Sequence, residues 1–114
     1  MLKRIDTVFL PVSNLDRAIA WYTENLDLTL RWKVKGYAAL NSGETALTLV
    51  EVAAVQPAQH MPFNFYASDP QAVHRRFSEA GIAVSEVRDH GDVVEFDFTD
   101  PDGNTLGICW FEEK

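Results

Sequence analysis

Residues 98–111 read FTDPDGNTLGICWF, and the fold turns on how this stretch is read. Asp100-Pro101-Asp102-Gly103 is a turn with a mechanism. Pro101 fixes φ, the two aspartates can accept from nearby backbone N–H groups, and Gly103 tolerates a positive φ. Residues 95–99, EFDFT, and 105–111, TLGICWF, flank it with strand-like composition. The stretch therefore predicts a hairpin over Val93–Thr99 and Thr105–Phe111 whose second strand closes the domain.

Working back from that hairpin, the second half begins with a strand over Pro62–Ala67. Asp69 then caps a helix with Pro70 at its first position, where a missing N–H costs nothing. Val73, Phe77 and Ala80 form the apolar face, and Gly81 suits the C′ position. A strand over Ile82–Val87 and a turn over Asp89–Asp92 lead into the hairpin. The first half has the same order. Ile5–Val12 is a strand, at an edge or bulged where Pro11 lacks a donor. Ser13 is expected to cap a helix, with Asp16 three residues on. Leu15, Ala18, Ile19 and Tyr22 give its buried stripe, and its end is expected near Asn25. Strands over Leu28–Val34, Tyr37–Leu40 and Thr45–Val52 follow. Residues 53–61, AAVQPAQHM, lack periodicity.

The chain thus divides into units at 1–52 and 62–114 joined by a linker at 53–61, each reading β-α-β-β-β. Val12-Ser13-Asn14 overlies Ala67-Ser68-Asp69 at an offset of 55, and Leu47-Thr48-Leu49 overlies Leu106-Gly107-Ile108 at an offset of 59. Such self-similarity marks an internal duplication.

Bulk composition narrows the function. The 114 residues are 46% apolar and 24% charged, ordinary for one globular domain. No apolar run is long enough to span a bilayer and no charged-then-apolar leader is seen, so a cytoplasmic protein with no membrane partner is expected. The single cysteine, Cys109, cannot form an internal disulfide. The net charge of −7 belongs wholly to the second half, where residues 58–114 carry eleven acidic and four basic side chains. That balance argues against nucleic acid, which needs a basic face, and suits either solubility or a cationic small molecule.

Three stretches, VFLPVSNLDRAIAWYTENLDL at 8–28, FNFYASDPQAVHRRFSEAGI at 63–82 and DFTDPDGNTLGI at 97–108, resemble the vicinal oxygen chelate superfamily. It includes glyoxalase I, bleomycin-resistance proteins, fosfomycin-resistance enzymes and extradiol dioxygenases. Asp27 departs from the glycine usual in the family's Leu-Gly-Leu turn. The resemblance implies an α+β fold in which two tandem β-α-β-β-β units form curved mixed sheets around a cavity, with helices on the convex faces, often within a homodimer. Val8, Leu10, Leu47, Leu49, Phe63, Phe65, Phe96, Phe98, Leu106 and Ile108 are then expected under the helices. Thr7, Phe9, Thr48, Val50, Asn64, Tyr66, Glu95, Asp97, Gly107, Cys109 and Phe111 are expected to line the cavity.

The resemblance also implies where a divalent metal would sit: at Thr7, Thr48, Pro62 and Gly107. None is a usual ligand. The leading expectation is accordingly a cofactor-free protein that sequesters a small organic molecule, cationic or aromatic, in the manner of bleomycin-resistance proteins. A second reading is a glyoxalase- or dioxygenase-type enzyme, a lyase or oxygenase. It would hold a metal through His60, Glu95 and Asp97, or use Glu95 as a general base whose pKa burial raises. A third is a regulatory or interaction module with a vestigial cavity. His74 is expected on the solvated side of its helix, His90 in a turn, and Cys109 as a small buried hydrophobe. Phe9, Trp32, Tyr37, Tyr66, Trp110 and Phe111 are the aromatic candidates for a cavity or dimer wall.

Overall fold

The protein is described by a computed structural model covering residues 1–113. It falls into two compact units, Met1–Gln56 and Pro57–Lys114.

In the first unit β1 (Thr7–Val12) leads into α1 (Leu15–Leu26), then β2 (Thr29–Val34), β3 (Tyr37–Asn41) and β4 (Ala46–Glu51). The sheet order is β1-β4-β3-β2, with β1 parallel to β4 and the other pairs antiparallel. Pro11 lies on the edge strand β1, where a missing donor breaks no ladder. The helix is capped by Asn14 rather than the expected Ser13; the Asn14 side chain accepts from Arg17 N at 3.0 Å. The Leu15 N–H finds Glu51 Oε2 at 2.8 Å, so a second orphan donor of the first turn is satisfied from β4. The helix closes on Asp27 at φ 57°, an aspartate in the left-handed region that glycine favours. Leu15, Ala18 and Tyr22 are buried, as are Leu10, Val12, Ala38, Leu40, Leu47 and Leu49 beneath them.

The second unit repeats the plan. β5 (Asn64–Tyr66) precedes α2 (Pro70–Glu79), capped by Asp69 Oδ1 on Ala72 N at 3.1 Å. β8 (Val93–Thr99) and β9 (Thr105–Phe111) form the long hairpin, and the sheet order is β5-β9-β8-β6, with β5 parallel to β9. The expected strand over Ile82–Val87 shrinks to β6 (Ala83–Val84), and a second short strand, β7 (Arg88–Asp89), forms beyond it where a turn was expected to begin; both are antiparallel to β8. The break falls at Ser85. Its hydroxyl accepts from Asp97 N at 2.9 Å, and its own N–H donates to Asp97 O at 2.8 Å. Phe77, Phe96, Phe98, Leu106 and Ile108 form the buried core, with Phe77 edge-on to both Phe96 and Phe98. Val8, Phe63 and Phe65 are half-buried. His74 does not face solvent: its Nε2 is 2.8 Å from Ser85 O, and its ring meets Phe96 edge-on.

The hairpin turn is built around Asp100, which is only 5% exposed. One carboxylate oxygen accepts from Asp102 N and Asn104 N, both at 2.9 Å, and the other from Asn104 Nδ2 at 3.0 Å. Gly103, at φ 84°, returns its N–H to Asp100 O. The register that follows pairs Thr99 with Thr105, Asp97 with Gly107 and Glu95 with Cys109. Replacing Asp100 by alanine strands one buried and one half-buried backbone donor, so Asp100→Ala should lower unfolding free energy by about 2 kcal/mol in a denaturant titration.

Candidate functional site

The face of each sheet turned away from its helix is where functional side chains are free to act. In the first unit the registers place Phe9, Thr48, Ala39 and Trp32 in one row across four strands, and Pro11, Val50, Tyr37 and Val34 in the next. Phe9 is 62% exposed, and Trp32, Val34 and Tyr37 are exposed as well. This open face is apolar and aromatic. Its polar members bond to one another: Thr7 Oγ1 lies 2.7 Å from Thr48 Oγ1 and 3.0 Å from Ala46 O. A Thr7 proton given to the Ala46 carbonyl leaves Thr48 as donor to Thr7, which satisfies both hydroxyls.

The equivalent rows of the second unit are different. Tyr66, Cys109, Glu95 and Arg88 form one, and Asn64, Gly107 and Asp97 the other. Arg88 grips Glu95 through two bonds of 2.8 Å and reaches Asp97 Oδ2 at 3.0 Å. His90 Nε2 lies 3.0 Å from the same Glu95. This network holds the Glu95 carboxyl at about 2, well below its ordinary value, chiefly through the Arg88 hydrogen bonds, and raises the Arg88 guanidinium further through its bonds to Glu95 and Asp97. Burial, with help from the Glu95 charge, pushes the Cys109 thiol up, away from the thiolate a nucleophile needs. Tyr66 donates its hydroxyl to Phe111 O at 2.7 Å, and the two rings meet edge-on at 5.0 Å.

Thr7, Phe9, Thr48 and Val50 therefore share the open face of the first sheet. Asn64, Tyr66, Glu95, Asp97, Gly107, Cys109 and Phe111 lie on strand positions of the second sheet's open face. Trp110 pairs with the buried Val94 and belongs to the helix side. Two expectations about Glu95 fail. It is not a carboxyl with a raised pKa, because an ion pair outweighs desolvation. Nor do His60, Glu95 and Asp97 form a ligand set. Both acids are bonded to Arg88, and exposed His60 places Nδ1 3.0 Å from Met61 O. Among the described residues no group of three or more His, Cys, Asp or Glu could hold a metal ion. Arg88 was not anticipated as a site residue, although a turn centred on Gly91 and Asp92 places 88 opposite 95 by counting alone.

The sequence profile of the Glyoxalase/Bleomycin resistance protein/Dioxygenase superfamily matches residues 4–108, and the chain belongs to that superfamily. The chain is 27% identical over 115 residues to the glutathione transferase FosA of Serratia marcescens, covering 95% of this chain and 81% of that protein. A putative glyoxalase family protein from Bacillus anthracis superposes with a TM-score of 0.85 at 20% identity, over 98% of both chains. TnmS3, an antibiotic binding protein from Streptomyces sp. CB03234, does so at 0.80 and 21% identity, over 97% of this chain and 98% of that one. These structural likenesses show the fold.

The positions where the family's metal would be held do not fit a metal here. Thr7 and Thr48 are spent on each other. Pro62 has no donor side chain. At Gly107 a β-carbon would lie 2.7 Å from Met61 Sδ and 2.8 Å from its methyl carbon, so a thioether occupies the space into which a carboxylate would grow.

The Glu95 network has a testable signature. A carboxyl whose folded pKa lies below its unfolded one stabilises the fold above the unfolded value, near 4.5, and loses that contribution as pH falls toward about 2. Discounted for the partial exposure of Arg88, Glu95→Gln should cost about 1 kcal/mol at pH 7. Urea titrations should show the gap between wild type and variant closing between pH 5 and pH 2.

Proposed function

We propose that this protein binds and sequesters a small organic molecule on its open sheet faces without a metal ion. The observation that carries the reading is the state of the four metal positions: two hydroxyls bonded to each other, a proline, and a glycine covered by Met61. The first unit's exposed Phe9, Trp32 and Tyr37 offer stacking surface to a planar guest, and the second unit's carboxylates offer polarity to a cationic one. A fold shared with an antibiotic binding protein is compatible with this use. The exposed aromatic face also suits a homodimer, in keeping with superfamily members that assemble as dimers, and light scattering would report it.

A metal-dependent transferase, lyase or oxygenase is the second reading, favoured by the likeness to FosA. It requires ligands at positions this chain fills otherwise, and Glu95, ionised down to about pH 2, is too weak a base to replace them.

Calorimetric titration with a panel of planar aromatic and cationic compounds, with and without EDTA, separates the two. Binding of at least one compound at micromolar Kd, unchanged by EDTA, is expected. Stoichiometric Zn, Mn, Ni or Fe in the purified protein, with binding abolished by EDTA, would replace this reading with the enzyme.

A further inference from the structure

The first unit's edge strand β2 carries a bulge. Leu30 pairs with Leu40 and Trp32 with Ala39, so the register slips by one between them and Arg31 is the extra residue. In a regular strand Leu30 and Trp32 would share a face. The bulge separates them. Leu30 goes with Leu40, which is buried under α1, and Trp32 joins the open-face row of Ala39, Thr48 and Phe9. Trp32, Val34 and Tyr37 then form one exposed apolar patch, since Val34 is two residues from Trp32 and pairs with Tyr37.

The same bulge brings a cation to the border of that patch. Arg31 Nε donates to Asn41 Oδ1 at 2.6 Å, and Asn41 Nδ2 donates to Thr29 Oγ1 at 3.0 Å. Asn41 follows buried Leu40 on β3, so its side chain is on the open face and holds the guanidinium there. Neither terminal nitrogen of Arg31 has a hydrogen-bond partner among the described residues. An arginine that only blunts a sheet edge would extend into solvent. This one is folded back and pinned, with both terminal amino groups left to meet a planar anion. Its neighbour Lys33 turns the other way, to Asp16 on α1 at 2.6 Å. Residues 28–43 carry three basic side chains and no acidic one, so the patch lies in a locally positive part of an acidic chain. Asn41 and Ala39 are two residues apart, which puts the row of Trp32 about 7 Å beyond that of Asn41.

We propose that the open face of the first sheet recognises an aromatic carboxylate, whose oxygens accept from the terminal nitrogens of Arg31 while its rings lie along Trp32 toward Tyr37. The proposal rests on the small-molecule-binding reading above and names the ligand class and the anchoring residue. Asn41 is a positioning residue: it aims the guanidinium across the sheet face.

The test is calorimetric titration of the wild type and of three variants with 2-naphthoate and with its uncharged isostere, 2-naphthamide. Naphthoate should bind at least about tenfold more tightly than naphthamide. Arg31→Gln should remove that difference and leave naphthamide affinity unchanged, and Asn41→Ala should narrow it several-fold. Trp32→Ala should weaken both compounds together. Raising the salt concentration should weaken naphthoate alone. Thermal unfolding of each variant confirms that it is folded. Equal affinity for the two compounds, or a difference that survives Arg31→Gln, would overturn the Arg31 assignment while leaving small-molecule binding in place. So would a dimer in sedimentation that Trp32→Ala dissociates, with no naphthoate bound, since the face would then belong to a second copy of the chain. If neither these compounds nor the broader panel bind, both readings fail together.

Discussion

The Asp100 carboxylate is the interaction on which the second unit's geometry depends. It takes three N–H groups of its own turn, and those bonds fix where the chain reverses. Once the reversal is fixed, the pairing of β8 with β9 is fixed too, because a slip by one residue would send every side chain to the other face. Glu95 and Asp97 face away from α2 only because Thr99 meets Thr105 and not its neighbour. A turn that looks like a local detail therefore decides which residues are core and which can do chemistry.

Duplication explains the plan and divergence explains the site. Both sheets run in the same order, with the unit's first strand parallel to its last. The row Pro11, Val50, Tyr37 and Val34 of the first sheet matches the row Tyr66, Cys109, Glu95 and Arg88 of the second. One copy presents an apolar surface, the other an ion network. The whole −7 of the chain arises in the second copy. Glu95 and Asp97, the part of that charge carried on β8, are gripped by Arg88.

Much of this was legible in the chain itself. The DPDG turn, the Asp69-Pro70 helix start and the period-two pattern of Val93–Thr99 are strong local signals, and each formed where it was read. The misses have local causes. Ser13 and Asn14 are both good caps, and only geometry chooses between them; Asn14 wins by accepting from Arg17 N. His74 sits beside Arg75 and Arg76 and so looked solvated, but its ring reaches back to Ser85 O across the unit. Arg88 was hidden because the strand was expected to run unbroken to Val87, whereas Ser85 interrupts it with side-chain bonds. Composition also gave no hint that Met61 would lie over Gly107, since the contact joins a residue of the aperiodic segment to a distant strand.

The broken strand gives the two sides of the ion network unequal mobility. Glu95 and Asp97 sit on a seven-residue strand paired along its whole length with β9, and opening it would cost much of the unit's cooperativity. Arg88 sits on a strand of two residues held by only two register pairs. Short, poorly tethered segments populate open states at a small fraction of the global unfolding cost. The cation of the network is thus mounted on a hinge-like segment and the anions on a fixed frame.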